Sequence, residues 1–235
     1  MRVSATALVA IGGAAALVAL AVTDQVLPAG DTRVAEMRPW LAARALGITA
    51  YQLLGLQVAT GVLLSHPRNG AAWQRTRQAL PWHELLTVFT WAFLALHIAL
   101  LAVDPYADVG VLGALVPGLS GYRPPAVAIG TVAVCDMLFT AVTAKWTRLL
   151  PRGMWLKAHR FAAVAFLLGW VHSVLAGTDS GTLTPFYLAT GLPILGVIAH
   201  RWWTARTAPR RAEAPVTPNL ALARPQPTPV PVEES

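Results

Sequence analysis

A chain of 235 residues is short for two soluble domains. It is 55% hydrophobic and only 12% charged, about half the roughly 25% charged share of ordinary soluble domains. Mean hydropathy is +0.54, and apolar runs of about 20 residues recur, which excludes an ordinary soluble globule and points to an all-α integral membrane protein. The net charge of +7 gathers in particular loops, as a topology signal does, and carries no expectation of nucleic-acid binding. The single cysteine, Cys135, lies in an apolar run, so no disulfide framework or CxxC metal motif is available.

In chain order, residues 3–22 form a first apolar run after Arg2. Ala19-Leu20-Ala21 has the small-x-small pattern of a signal cleavage site, but the run exceeds the ~7–15 residues of a signal h-region, so an uncleaved helix is expected. Residues 23–39 are polar, with Pro28-Ala29-Gly30 as a turn signal. The second span is expected at 40–64 and contains Gly47, Gly55 and Gly61. Small residues there let a neighbouring helix, or a flat cofactor, approach the backbone. Further spans are expected at 81–103, 125–144, 157–175 and 183–203, giving a six-helix bundle. The tail 204–235, with six prolines after Pro209, lacks apolar periodicity and is expected to be disordered. The chain thus divides into 1–39, a membrane domain at 40–203, and the Pro/Arg-rich tail 204–235.

Loop 65–81 carries Arg68, Arg75 and Arg77; loop 145–160 carries Lys145, Arg148, Arg152, Lys157 and Arg160; the stretch after residue 203 opens with Arg206, Arg210 and Arg211. Loop 104–124 has only Arg123, and loop 176–182 has no basic residue. The positive-inside rule places the first set in the cytoplasm. A multi-pass protein of the cell membrane with both termini cytoplasmic is therefore expected. Arg33, Arg38 and Arg44 fall on the outer side, against the rule.

Four of the six histidines lie in two of these spans. His83 and His97 are fourteen residues apart, which on a helix means about 40° apart in azimuth and about 21 Å along the axis. His159 and His172 are thirteen apart, about 140° on an ideal helix, so distortion, tilt or reach is needed to bring them to one face. Depth pairs His83 with His159 at an inner level and His97 with His172 at an outer one. Polar side chains in hydrocarbon are costly unless partnered and usually mark function. Neutral imidazole is a good axial ligand for heme iron, and two such pairs suit two stacked hemes. A naked divalent ion would want more ligands.

The segments WHELLTVFTWAFLALH and HRFAAVAFLLGWVH, in a six-helix context, resemble the ferric reductase-like transmembrane domain. That family includes ferric reductases, NADPH oxidases and the heme-bearing membrane subunit of the methionine sulfoxide reductase system. The resemblance covers about residues 40–203. It implies that His83, His97, His159 and His172 ligate two b-type hemes, His83 and His159 the inner iron, His97 and His172 the outer. It also implies electron flow from a cytosolic donor to an outer-side acceptor: ferric iron, O₂ or a protein. No GxGxxG-type phosphate loop occurs, so a separate flavin reductase or a quinol is expected to deliver the electrons. Two other readings remain: a cytochrome b subunit that oxidises quinol for a multisubunit dehydrogenase, and a non-redox transporter or assembly module.

Arg68, Lys157 and Arg160 are candidates for inner heme propionates and Arg123 for outer ones, through charge-assisted hydrogen bonds; plain topology signalling explains them equally. Trp91 and Phe166 fall midway between the histidines of their spans and are candidate inter-heme aromatics, against ordinary packing. Asp136 is the one acid well inside a span, a proton relay or simply a hydrogen-bonded side chain. His66 and His200 fall at helix ends, where histidine caps carbonyls.

Overall fold

The computed structural model describes residues 5–26, 32–65, 78–151, 153–178 and 180–207. These are mostly helical, with no strand among them. The helices are α1 (Ala5–Val26), α2 (Thr32–Leu64), α3 (Leu80–Val103), α4 (Gly110–Leu115), α5 (Pro124–Lys145), α6 (Trp155–His159), α7 (Ala162–Ala176) and α8 (Ser180–Thr207). A 3-10 turn at Thr147–Leu149 follows α5. Five helical spans are long and apolar enough to cross a membrane: 36–64, 80–103, 124–145, 155–176 (α6 and α7 together) and 181–207. A multi-pass membrane protein follows from them. The first apolar run is also helical over 22 residues and packs along α3, with Gly12 against Val88.

Three boundaries differ from the sequence expectation. The second span begins at Thr32 rather than residue 40, because the polar stretch before it continues the same helix through Pro39. The fifth span is not one helix but α6 and α7, broken at Arg160–Phe161. The loop 104–124 holds a short helix, α4, and is tied down by Asp104, whose carboxylate accepts the backbone N–H groups of Tyr106 (3.3 Å) and Ala107 (3.2 Å). The turn signal at 28–30, the tail from 208, and loop residues 66–77 with Arg68 and His66 lie outside the described residues.

Each helix direction is fixed by its contacts. Gly47 of α2 meets His97 and Gly61 meets His83, so α2 and α3 are antiparallel. Gly130 of α5 meets His172, which sets α5 against α7. Arg201 of α8 donates to Ser65 at the end of α2, to Oγ and to the backbone O, both at 3.3 Å. The C-terminal end of α8 and the N-terminal end of α1 both lie at the His83 end of the bundle.

The exterior is apolar and the interior holds much of the polar content. On α5, Val132, Cys135, Leu138 and Phe139 are exposed, whereas Thr131, Ala133, Met137 and Thr140 are buried. The buried threonines are satisfied within their own helices: Thr90 Oγ1 donates to Leu86 O (2.7 Å), Thr131 to Val127 O (3.1 Å) and Thr143 to Phe139 O (2.8 Å). Polar groups closed off in this way face neighbouring helices at little cost, while the aliphatic stripe is left for lipid.

Cys135 sits near the middle of α5 on that stripe. In intact membranes it should resist a charged maleimide and react with a small apolar one; labelling by the charged reagent at the rate of a free thiol would place this face in water.

Candidate functional site

The two histidine pairs expected from depth are formed. The His83 and His159 rings have centroids 6.1 Å apart at an interplanar angle of 78°, and the His97 and His172 rings lie 6.5 Å apart at 76°. An imidazole nitrogen lies about 2.0–2.1 Å from a metal ion it binds, and about 1.1 Å from its own ring centre, so two rings on opposite sides of one ion have centres about 6.2–6.4 Å apart. The pairs, at 6.1 and 6.5 Å, lie within about 0.1 Å of either end of that range.

The thirteen-residue spacing is brought to one face by the break between α6 and α7. There, backbone N–H groups reach three residues back: Arg160 to Lys157 O (3.3 Å), Phe161 to Ala158 O (3.0 Å), Ala163 to Arg160 O (3.1 Å) and Val164 to Phe161 O (2.7 Å). A 3-10 turn advances about 120° per residue against about 100° in an α-helix. The Arg160 N–H is shared with Leu156 O, four residues back, also at 3.3 Å, so three to four such residues recover about 60–80° of the 140° misfit, and the paired rings show that the remainder is absorbed.

Three of the four histidines are held in one way. Nδ1 of His97 lies 2.6 Å from Ala43 O, Nδ1 of His83 lies 3.0 Å from Gln57 O, and Nδ1 of His172 lies 2.8 Å from Ala126 O. A carbonyl only accepts, so in each case Nδ1 carries the proton and donates, leaving Nε2 with its lone pair. Four residues beyond each carbonyl is a glycine: Gly47, Gly61 and Gly130. In a helix that glycine's own N–H bonds the same carbonyl, so the histidine uses the second lone pair. A Cβ on Gly47 would lie 2.7 Å from the His97 ring, one on Gly130 2.6 Å from His172, and one on Gly61 3.2 Å from His83. The glycines give the rings their place. Gly47 and Gly61 are fourteen apart, the same interval as His97 and His83. His83 has further support: Thr60 Oγ1 lies 3.1 Å from its Nδ1, and Thr87, which donates to His83 O (2.8 Å), accepts the Gln57 amide (2.8 Å). His159 differs. Its Nδ1 is buried with no hydrogen-bond partner among the described residues, and its nearest ring neighbour on its own helix is Trp155, 6.3 Å away.

Beside His97 and His172 lies a cavity of about 170 Å³ that opens to the surface. Gly47 and Gly130 line it, as do apolar residues of α2, α3 and α5, Arg44, and two residues that the sequence did not single out, Tyr51 and Tyr122. Arg44 lies over the Trp40 ring at 4.6 Å and donates to Thr178 Oγ1 at 3.4 Å. Ala107 and Val109, both buried, close the cavity from loop 104–123. That loop is stapled to the end of α7: Tyr122 OH donates to Ala176 O (2.7 Å), and Arg123 Nη1 donates to Leu175 O (2.8 Å) and Gly177 O (3.0 Å).

Between the two pairs is an aromatic layer. Phe166 is 1% exposed and stacks on Tyr51, with centroids 5.8 Å apart and planes at 14°. Gly55 leaves room for it, since a Cβ there would stand 3.3 Å from the ring. Tyr51 OH bonds Thr190 Oγ1 at 3.1 Å. Trp91 packs on the edge of this cluster, half-buried. Asp136 is half-buried on α5, with Oδ2 buried and no hydrogen-bond partner of that oxygen among the described residues. Lys157 and Arg160 are exposed at the His83 end, and His200 lies within α8, seven residues before its end, rather than at a cap.

The described chain is therefore an all-helical, multi-pass membrane-type protein that brings two pairs of histidine rings within 6.1 and 6.5 Å of each other, edge-on, near opposite ends of one bundle. Comparison of the chain with protein-family models, curated proteins and solved structures finds no match.

Substituting Gly130 by Ala should cost about 1–3 kcal/mol by overpacking, and Gly61→Ala should cost less, since its Cβ has more room. Stability in detergent, read by denaturant titration, checks the order; equal and negligible costs would mean that the rings are not seated as described.

Proposed function

We propose that the chain is a membrane cytochrome of b type that carries electrons between a donor at the basic, cytoplasmic end and an acceptor at the other face. The observation that carries this reading is the pair of imidazole–imidazole separations, 6.1 and 6.5 Å, at two depths about 21 Å apart along α3. The resemblance to the ferric reductase-like transmembrane domain agrees with it. Among the described residues no three ligand-type side chains converge. Each pair would give an ion two imidazole ligands, which suits iron held in a porphyrin better than a bare divalent ion.

The residues fit such a group. Nδ1 donation leaves Nε2 of His83, His97 and His172 free to bind iron; the glycine seats keep those rings against α2 and α5; and the apolar cavity beside His97 and His172 suits a flat, largely apolar macrocycle. A heme held by these histidines would supply reversible one-electron chemistry. The chain's own part is to fix ring orientation, exclude water with the packed loop 104–123, and set charge at the edges. Arg44, on the cavity wall, is the cation placed to pair with an outer carboxylate of that group. Arg123 instead serves the carbonyl end of α7. Lys157 and Arg160 offer positive charge at the His83 end, where an acidic donor protein would be steered. Tyr51 and Phe166 fill the space between the two levels. The donor, whether flavin reductase or quinol, and the acceptor, whether ferric iron, O₂ or a protein, follow from the same reading and are named by class alone.

The purified protein should contain two b-type hemes per chain by pyridine hemochrome. His97→Ala or His172→Ala should remove or convert to high spin one heme, and His83→Ala or His159→Ala the other. Absence of a Soret band, or loss of the same heme from His83→Ala and His97→Ala, would overturn the proposal.

A further inference from the structure

The four histidines are not held alike, and the difference has a redox consequence. His97 and His172 both donate Nδ1–H to a helix carbonyl, at 2.6 and 2.8 Å. In the other pair only His83 does so, at 3.0 Å. Nδ1 of His159 is buried without a partner among the described residues. His159 also ends a five-residue helix, α6, and is separated from α7 by the 3-10 turn at Arg160–Phe161, so its backbone is not carried by a long helix as the others are. An imidazole that donates from one nitrogen becomes a stronger electron donor through the other and has its ring orientation fixed. Stronger axial donation favours ferric over ferrous iron and lowers the reduction potential.

We propose that the carbonyl–glycine seats are positioning elements that split the potentials of the two sites: the His97–His172 site, with two anchored imidazoles, is the lower, and the His83–His159 site, with one, is the higher. This rests on the heme reading above. It makes Gly47, Gly61 and Gly130 potential-setting residues although none of them touches the metal. It also implies that the axial ligands alone make outward transfer thermodynamically uphill. An electron moving from the inside-negative to the outside-positive face is driven by the membrane potential, which would offset that step.

The test is an optical redox titration of the purified holoprotein after hemochrome quantification. Two resolved one-electron waves are expected, the higher one retained in His97→Ala and lost in His83→Ala. Gly130→Ala, which pushes His172 away from Ala126 O, should shift the lower wave toward the higher and leave the higher in place; Gly47→Ala should act in the same direction if the Gly130 variant does not accumulate. A side-chain ¹⁵N–¹H spectrum of the reduced, low-spin protein should show three exchange-protected Nδ1–H groups and no fourth. Coincident waves, the reverse assignment, or four protected Nδ1–H groups would overturn the proposal. A protein with two hemes and any of those results contradicts this inference alone; a protein without heme contradicts the cytochrome reading as well.

Discussion

The arrangement depends on one hydrogen bond made three times: an imidazole N–H donated to a helix carbonyl that already serves its own helix. In an apolar bundle a histidine finds few acceptors, and an unsatisfied polar group in hydrocarbon costs several kcal/mol. The second lone pair of a helix carbonyl is available, but a Cβ one turn further on would block the approach. Glycine at that position removes the obstacle, as the 2.6 and 2.7 Å distances at Gly130 and Gly47 show. The bond fixes the tautomer, leaves the lone pair on Nε2, and ties α3 to α2 and α7 to α5. Helix packing and ring orientation are the same contact.

The rest of the bundle is arranged around those contacts. Because α2 supplies glycines at the same fourteen-residue interval as the histidines of α3, the antiparallel register of the two helices is set at both levels. Gly55, between them, admits Phe166 from α7, so α2 meets the second ligand helix at mid-depth. The α5–α7 side has one seat, at Gly130. At the other level, the break after His159 turns the ring through the misfit that a continuous helix would leave. The 3-10 turn is thus the structural counterpart of a missing seat: rotation of the backbone replaces anchoring of the ring.

Much of this was legible in the sequence. The histidine spacings place four rings at two depths, and polar residues in apolar spans narrow the choice of function-bearing positions. Gly47 and Gly61 were visible as close-approach residues, but a glycine does not state which neighbour it admits, and the partner rings come only with the helix register. Gly130 carried no such signal, because a lone glycine in an apolar run has no interval to match. Arg44 was visible only as a cation against the charge rule; that rule counts cations by loop, and side-chain reach into a cavity is not part of the pattern. The break at Arg160–Phe161 has no proline or glycine to announce it. Tertiary pairing of the rings, not local propensity, selects it.

The most direct measurement of the central claim, two metal-holding pairs at opposite depths, is the distance between the two ferric centres in the oxidised protein, taken by pulsed dipolar electron paramagnetic resonance. Fourteen residues along α3 correspond to about 21 Å, and a separation of about 20 Å between two low-spin ferric centres is the expected result. No low-spin ferric signal, one uncoupled centre per chain, or a separation under about 10 Å would contradict two pairs stacked along a 1.5 Å-per-residue helix.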